Sequence, residues 1–329
     1  MLEHGGRLRA AAKHWTIPLA DWLDLSTGIA PWSYPVAIGE AAWQRLPEEE
    51  DGLEAAAARY YGHPAPLPLP GSQAAIQWLP RLFAPGIAVL PAPTYGEYAP
   101  AWRAAGHEVR EVAAADLDTA AADADVVMLA NPNNPTGTRR DPAELRPLAA
   151  RLAQRGGWLV VDEAFADCTP ESALASEAGT AQANLIVLRS LGKFFGLAGA
   201  RVGFLCAAPE LSAQLAEALG PWTVAHPSRQ AAMQALADTA WQAGQRQRLA
   251  VASERLGELL ARHGLASVDG GRLFRYAPTP CAAALHDFLA RRGILVRRFN
   301  RPDAVRIGLP AVDADWQRLE SALADWSSP

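Results

Sequence analysis

This sequence predicts an α/β fold, with a mainly parallel central sheet between helices in a large domain and a smaller α+β domain beside it. Three observations carry the prediction. Short apolar runs alternate with helical stretches: IAVL (Ile87 to Leu90), HEVREV (His107 to Val112), DVVMLA (Asp125 to Ala130), WLVVD (Trp158 to Asp162), LIVL (Leu185 to Leu188) and VGFLCA (Val202 to Ala207). Runs this short and apolar on both faces suit a parallel sheet covered by helices on both sides. After Pro221 the pattern changes to longer Ala/Leu/Arg helices with three further strand candidates, LFRYAP, ILVRRF and AVRIGL.

Taken in order, residues 1–40 read as mixed and rich in turns, with STGIAPW (Ser26 to Trp32) a loop. Residues 41–62 read as helix, interrupted around Pro47 and stopped by Gly62. The proline-dotted HPAPLPLPG (His63 to Gly71) holds a short extended piece, and Ser72 opens the next helix. Beyond the six strands, Ser228 to Ala261 and Cys281 to Arg292 read as helices. The division that follows is a large domain over 41–224 and a small domain built from 1–40 and 225–329, which a chain of 329 residues can support.

Composition narrows the function. A formal net charge of -5 and a pI near 5.8 argue against a nucleic-acid partner. Cys168, Cys206 and Cys281 are isolated, which predicts neither a disulfide framework nor a zinc site and fits a reducing cytoplasm. MLEHGGRLRAAAKHW has no apolar h-region, and no run of about 18 apolar residues occurs, so neither a signal peptide nor a membrane span is expected.

The chemistry centres on SLGKFFGLAGARVGF (Ser190 to Phe204), which sets Lys193 among small and apolar residues. Burial disfavours an ammonium and lowers its pKa, so a lysine there becomes a nucleophile, as in Schiff-base chemistry with a carbonyl or with pyridoxal phosphate. Such a cofactor also needs a carboxylate for its ring nitrogen, a stacking group and a phosphate cradle. Asp162 ends WLVVD at the strand edge where open α/β sheets bind ligands, although a helix cap explains it equally well alone. NPNNPTG (Asn131 to Gly137) also follows a strand directly, and its prolines and glycine fix a rigid loop that aims Asn134. GSQ (Gly71 to Gln73) precedes a helix and offers free N–H groups and the positive dipole end to a phosphate, a weak signal by itself. PTYGEY (Pro93 to Tyr98) offers Tyr95 for stacking, although a core or loop tyrosine is its commoner role. Their order on successive strand ends is the stronger signal.

That order, GSQ, PTY, NPNNPTG, DEAF and SLGKFFGLAGARVGF, resembles the fold-type I pyridoxal-phosphate enzymes of the aminotransferase I/II superfamily over nearly the whole chain. The resemblance implies pyridoxal 5'-phosphate as cofactor, with Lys193 carrying it and Asp162 pairing with its ring nitrogen as the two catalytic residues. It also implies that Asn134 bonds the phenolic oxygen, Tyr95 stacks on the ring, and Gly71, Ser72, Gln73, Ser190 and Arg201 hold the phosphate. A homodimer with its sites at the subunit interface is implied as well. HGG (His4 to Gly6), LDLSTGIAP (Leu23 to Pro31) and PWTVAHPS (Pro221 to Ser228) are similar to segments of the superfamily's threonine-phosphate decarboxylases of cobalamin biosynthesis. By that likeness His4 and Arg297 hold a substrate phosphate and Arg306 anchors a substrate anion. Arg298 and Arg301, close by, read as a solvated basic face.

Two positions depart from the superfamily pattern. Phe165 stands where many relatives have a tyrosine donating to the phenolic oxygen. Leu46 stands where a tyrosine would reach the neighbouring subunit's phosphate, so that contact is missing or comes from Tyr60 or Tyr61. The expected reaction is decarboxylation of L-threonine O-3-phosphate, a small phosphorylated amino acid. An aminotransferase acting on a phosphorylated amino compound such as histidinol phosphate would use the same cofactor set. A non-catalytic protein of the same fold has only Leu46 and Phe165 in its favour.

Overall fold

The computed structural model describes residues 4–327, so the first three residues of the stretch read for a leader and the last two of the chain lie outside it. Among the described residues the strands are β1 (Leu23–Leu25), β2 (Leu67–Leu69), β3 (Ile87–Ala92), β4 (Glu108–Ala113), β5 (Val126–Ala130), β6 (Trp158–Asp162), β7 (Leu185–Ser190), β8 (Gly203–Cys206), β9 (Val268–Asp269), β10 (Phe274–Pro278), β11 (Ile294–Asn300) and β12 (Asp303–Gly308). They form two sheets, ordered β2-β8-β7-β6-β5-β3-β4 and β1-β11-β12-β10-β9.

In the larger sheet β4, β3, β5, β6 and β7 run parallel, while β8 and β2 complete one edge antiparallel. Every residue of β5 and β7 is buried because helices cover both faces. Alternate residues feed two cores. Val161 and Val187 pack with the helices Leu53–Tyr61 and Pro142–Ala153, whereas Val160, Ile186 and Leu188 pack with Ser72–Trp78, Tyr98–Ala104 and Pro209–Leu219. Burying each such side chain contributes roughly 1.5–3 kcal/mol relative to exposure. The strands are thereby fixed from both sides, and the parallel run brings the C-terminal ends of β5, β6 and β7 to one edge.

The smaller sheet joins the ends of the chain. β1 pairs parallel with β11, and β11, β12, β10 and β9 are antiparallel. β1 and the helix Leu8–Trp15 lie in the region read as turns. Three residues have no detectable period, and β1 exists only because β11 supplies its ladder. The helix expected over Ser228 to Ala261 is two helices, His226–Ala237 and Thr239–Arg262. Asp238 separates them: its carboxylate accepts a bond from the Trp241 N–H at 2.9 Å, restarting the helix with a new cap inside an unbroken apolar pattern. The helix expected from Cys281 to Arg292 spans Ala282–Ala290. No described helix is long and apolar enough to cross a membrane, and no cluster of metal-ligating side chains occurs among the described residues.

Candidate active site

A cavity of about 150 Å³ opens at the C-terminal edge of the large sheet. Asp162 and Ser190 reach it as the last residues of β6 and β7, and Lys193 follows three residues on. Gly71, Ser72 and Gln73 reach it at the start of the helix Ser72–Trp78, Tyr95 and Asn134 from the loops after β3 and β5, and Arg201 from the turn before β8.

Asp162 is buried, and its two oxygens accept bonds from Tyr98 Oη at 2.7 Å and from the Ala164 N–H at 3.0 Å. Burial pushes its carboxyl up, while those bonds and the charges of Lys193 and Arg189 pull it back. Burial pushes the Lys193 ammonium down to about 8; Arg306 and Arg201 push it the same way and Asp162 opposes them. An amine in that range can accept and return a proton near neutrality. Its Nζ lies 5.6 Å from the centre of the Phe165 ring.

The NPNNPTG loop is fastened by Asn133, whose Nδ2 donates to the Pro93 carbonyl at 2.9 Å and to Thr136 Oγ1 at 2.7 Å. The next residue, Asn134, turns its Oδ1 to Arg306 Nη1 at 2.6 Å. Tyr95 Oη donates to Gln73 Oε1 at 3.1 Å, and its ring stands edge-on to Tyr98 at 5.4 Å. At the start of the helix Ser72–Trp78, Gly71 has φ +79, and a Cβ there would sit 2.6 Å from Arg201 Nη2. Only glycine lets the guanidinium lie over the start of the helix. Ser72 and Ser190 add hydroxyls. A carboxylate, an amine and a glycine-floored cradle with an arginine thus line one small space, and this donor set fits pyridoxal phosphate.

The mouth is built differently. Arg306 on β12 is buried; its Nη2 donates to the Ser26 carbonyl at 2.8 Å and its Nε has no partner. Burial pushes its guanidinium down to about 10, and Arg297, directly opposite on β11, pushes the same way. Arg298 is half-buried and Arg301 exposed. His4 Nε2 bonds Glu97 Oε1 at 2.6 Å, with its ring 6.0 Å from that of Tyr95. The Gly6 N–H donates to Ser26 Oγ at 2.7 Å, so the HGG segment is tied to the residue that also holds Arg306.

Tyr60 and Tyr61 do not line this cavity. Tyr61 points into the core beneath Arg189, 4.7 Å from its guanidinium, and Tyr60 Oη accepts from Arg246 Nη2 at 3.2 Å. Both lie on the helix Leu53–Tyr61, and Leu46 is exposed. Phe165 meets Phe274 edge-to-face at 5.4 Å. Gly28 lets the STGIAP loop pass over both rings, since a Cβ there would come within 2.8 Å of Phe274 and 2.9 Å of Phe165. Tyr98 escaped the sequence reading; its one signal is the spacing of three from Tyr95 in PTYGEY.

The family model for aminotransferase class I and II matches residues 47–320. The chain is 57% identical to a threonine-phosphate decarboxylase of Pseudomonas aeruginosa, over 100% of this chain and 99% of that protein. It is 45% identical to one of Sinorhizobium sp, over 98% of each. Among solved structures, histidinol-phosphate aminotransferase from Sinorhizobium meliloti in complex with pyridoxal-5'-phosphate superposes with a TM-score of 0.84 at 24% identity, covering 98% of this chain and 94% of that one. That likeness establishes the fold.

Proposed function

The chain belongs to the aminotransferase class I and II family, on its threonine-phosphate decarboxylase branch, and from that premise we propose that it is a pyridoxal-phosphate-dependent carboxy-lyase acting on L-threonine O-3-phosphate. The products are (R)-1-aminopropan-2-yl phosphate and CO₂, which places the enzyme in cobalamin biosynthesis. The observation that carries this reading is identity of 57% over the full chain to a protein of that activity, against 34% over 74% of the chain to a histidinol-phosphate aminotransferase of Shewanella oneidensis.

Bound pyridoxal phosphate supplies an electron sink for the pair left when a bond to Cα breaks. The chain's own residues do the rest. Lys193 would hold the cofactor and deliver the proton that replaces CO₂ at Cα, a task suited to an amine held near 8. Asp162 would keep the ring nitrogen protonated, steadied by Tyr98. Asn134 would meet the phenolic oxygen, Tyr95 the ring face, and Gly71, Ser72, Gln73, Ser190 and Arg201 the cofactor's phosphate. His4 and Arg297 would take the substrate's phosphate. Arg306 would take a substrate anion, its fork of donors matching a carboxylate or phosphate once it leaves Asn134 or Ser26.

A cytoplasmic homodimer completes the proposal. Cys168, Cys206 and Cys281, far apart in the sequence, suit a reducing compartment. Exposed Trp43, Leu46 and Trp222, with a groove of about 1010 Å³ that Trp222 helps to line, offer an apolar face to a second copy. The reaction is tested by supplying O-phospho-L-threonine with no 2-oxo acid. Release of one CO₂ per phosphorylated amine formed is expected; strict dependence on 2-oxoglutarate would make the protein an aminotransferase.

A further inference from the structure

Behind the cofactor cavity, on the opposite face of the same two strand ends, lies a set of buried charges with no part in the chemistry above. Arg189 Nη1 donates to Glu163 Oε2 at 2.5 Å and its Nη2 to Asp167 Oδ1, with the three residues at most 2% exposed. Glu163 Oε1 also accepts from the Leu174 N–H at 2.6 Å, and the Tyr61 ring lies 4.7 Å from the Arg189 guanidinium.

Position in sequence gives this set its meaning. Glu163 directly follows Asp162 and Arg189 directly precedes Ser190. Side chains alternate along a strand, so Asp162 and Ser190 face the cavity while Glu163 and Arg189 face the other way. β6 and β7 are registered with Asp162 opposite Leu188, and the Glu163 N–H donates to the Leu188 carbonyl at 2.9 Å. The Arg189–Glu163 bridge therefore ties together the two strand ends that present the ring-nitrogen carboxylate and a phosphate-binding serine. A rigid aromatic cofactor fixes the span between its ring nitrogen and its phosphate, so the protein must hold these two groups at a matching distance.

Stability alone does not account for the set. Taking several charges out of water is expensive, and well-packed apolar replacements of buried ion pairs are often neutral or stabilising. Arg189 Nε is buried without a partner, which adds to the cost. The best attested return from such a set is registry.

We propose that Arg189, held by Glu163 and Asp167, is a positioning residue that fixes the spacing between Asp162 and Ser190 and so the fit of the cofactor. The proposal rests on the pyridoxal-phosphate reading of this cavity, and its test separates the two. Pyridoxal phosphate is titrated into apoprotein, with dissociation constant and bound absorbance maximum as readouts beside the Tm of the apoprotein. Glu163→Leu/Asp167→Val/Arg189→Met, which replaces the buried charges together with apolar side chains, is expected to leave a folded apoprotein while weakening binding about tenfold and moving the absorbance maximum. Glu163→Gln alone keeps the shape of the side chain and is expected to weaken binding several-fold. A folded Glu163→Gln protein with wild-type affinity and absorbance overturns the proposal whatever the triple variant does. Wild-type protein that does not bind pyridoxal phosphate removes the cofactor reading instead.

Discussion

The floor of the cavity and its mouth are held in opposite ways. Floor groups sit on the ends of strands buried on both faces: Asp162 closes β6, Ser190 closes β7, and each is fixed by bonds within the large sheet and its loops. Mouth groups come from the small sheet and the N-terminal segment, and two of them bond other parts of the protein. Arg306 holds Asn134 and the Ser26 carbonyl, and His4 holds Glu97. A site can afford this division when one region supplies reactivity, which needs preorganisation, and the other supplies recognition, which exchanges internal partners for the substrate's anions. Changes at the floor should therefore lower kcat or cofactor binding, and changes at the mouth should raise KM.

The largest effect is expected from Lys193→Met, with activity lower by roughly 10⁴-fold or more and loss of the visible absorbance of the lysine-linked cofactor. A retained visible band would disprove the covalent role. The same variant has a second consequence in the apoprotein. The folded-state value of Lys193, about 8, lies below its ordinary 10.5, so the wild-type apoprotein carries the full burial penalty below pH 8 and sheds it as pH rises towards 10.5. Apo Lys193→Met should be more stable at pH 7, by at most about 3 kcal/mol, with the advantage shrinking above pH 8. Urea unfolding at pH 7 and pH 10 measures it, and a constant difference would show that Lys193 is not desolvated.

Next comes Arg306→Gln, which keeps a donor but loses the charged fork. A loss of about 100-fold in kcat/KM for O-phosphothreonine, mostly in KM, is expected from the charge-assisted bonds. A pure kcat effect would move Arg306 to the floor. The smallest effect belongs to Tyr98→Phe, which removes one bond to Asp162 and leaves the packing intact; about a fivefold fall in kcat with KM unchanged is expected, measured by steady-state kinetics. A KM effect there would erase the contrast between the two regions.

The half of this cavity that lies on the large sheet was legible in the sequence because it is local. A strand that must be apolar on both faces announces itself, and Asp162, Ser190 and Lys193 follow directly on such strands; Gly71 is marked by the helix it opens. The half that escaped is relational. Tyr98 becomes meaningful only when the helix it opens places its hydroxyl on Asp162. Tyr60 and Tyr61, the candidates for the contact to a neighbouring subunit that Leu46 lacks, lie on the helix Leu53–Tyr61, Tyr61 packed in the core and Tyr60 bonded to Arg246. Asp238 divides a helical pattern through a cap that periodicity does not register.

The sequence by itself determined the strands of the large sheet and the residues that line the cavity at its edge, Lys193 among them, since burial and turn chemistry act residue by residue. Only the tertiary structure decided that β1 pairs with β11, that Arg297 stands opposite Arg306, and that Glu163 and Arg189 bridge behind the cavity. Those contacts join residues far apart in the chain. Their free energy belongs to pairs that no local pattern encodes, and it exists only once both partners are folded into place.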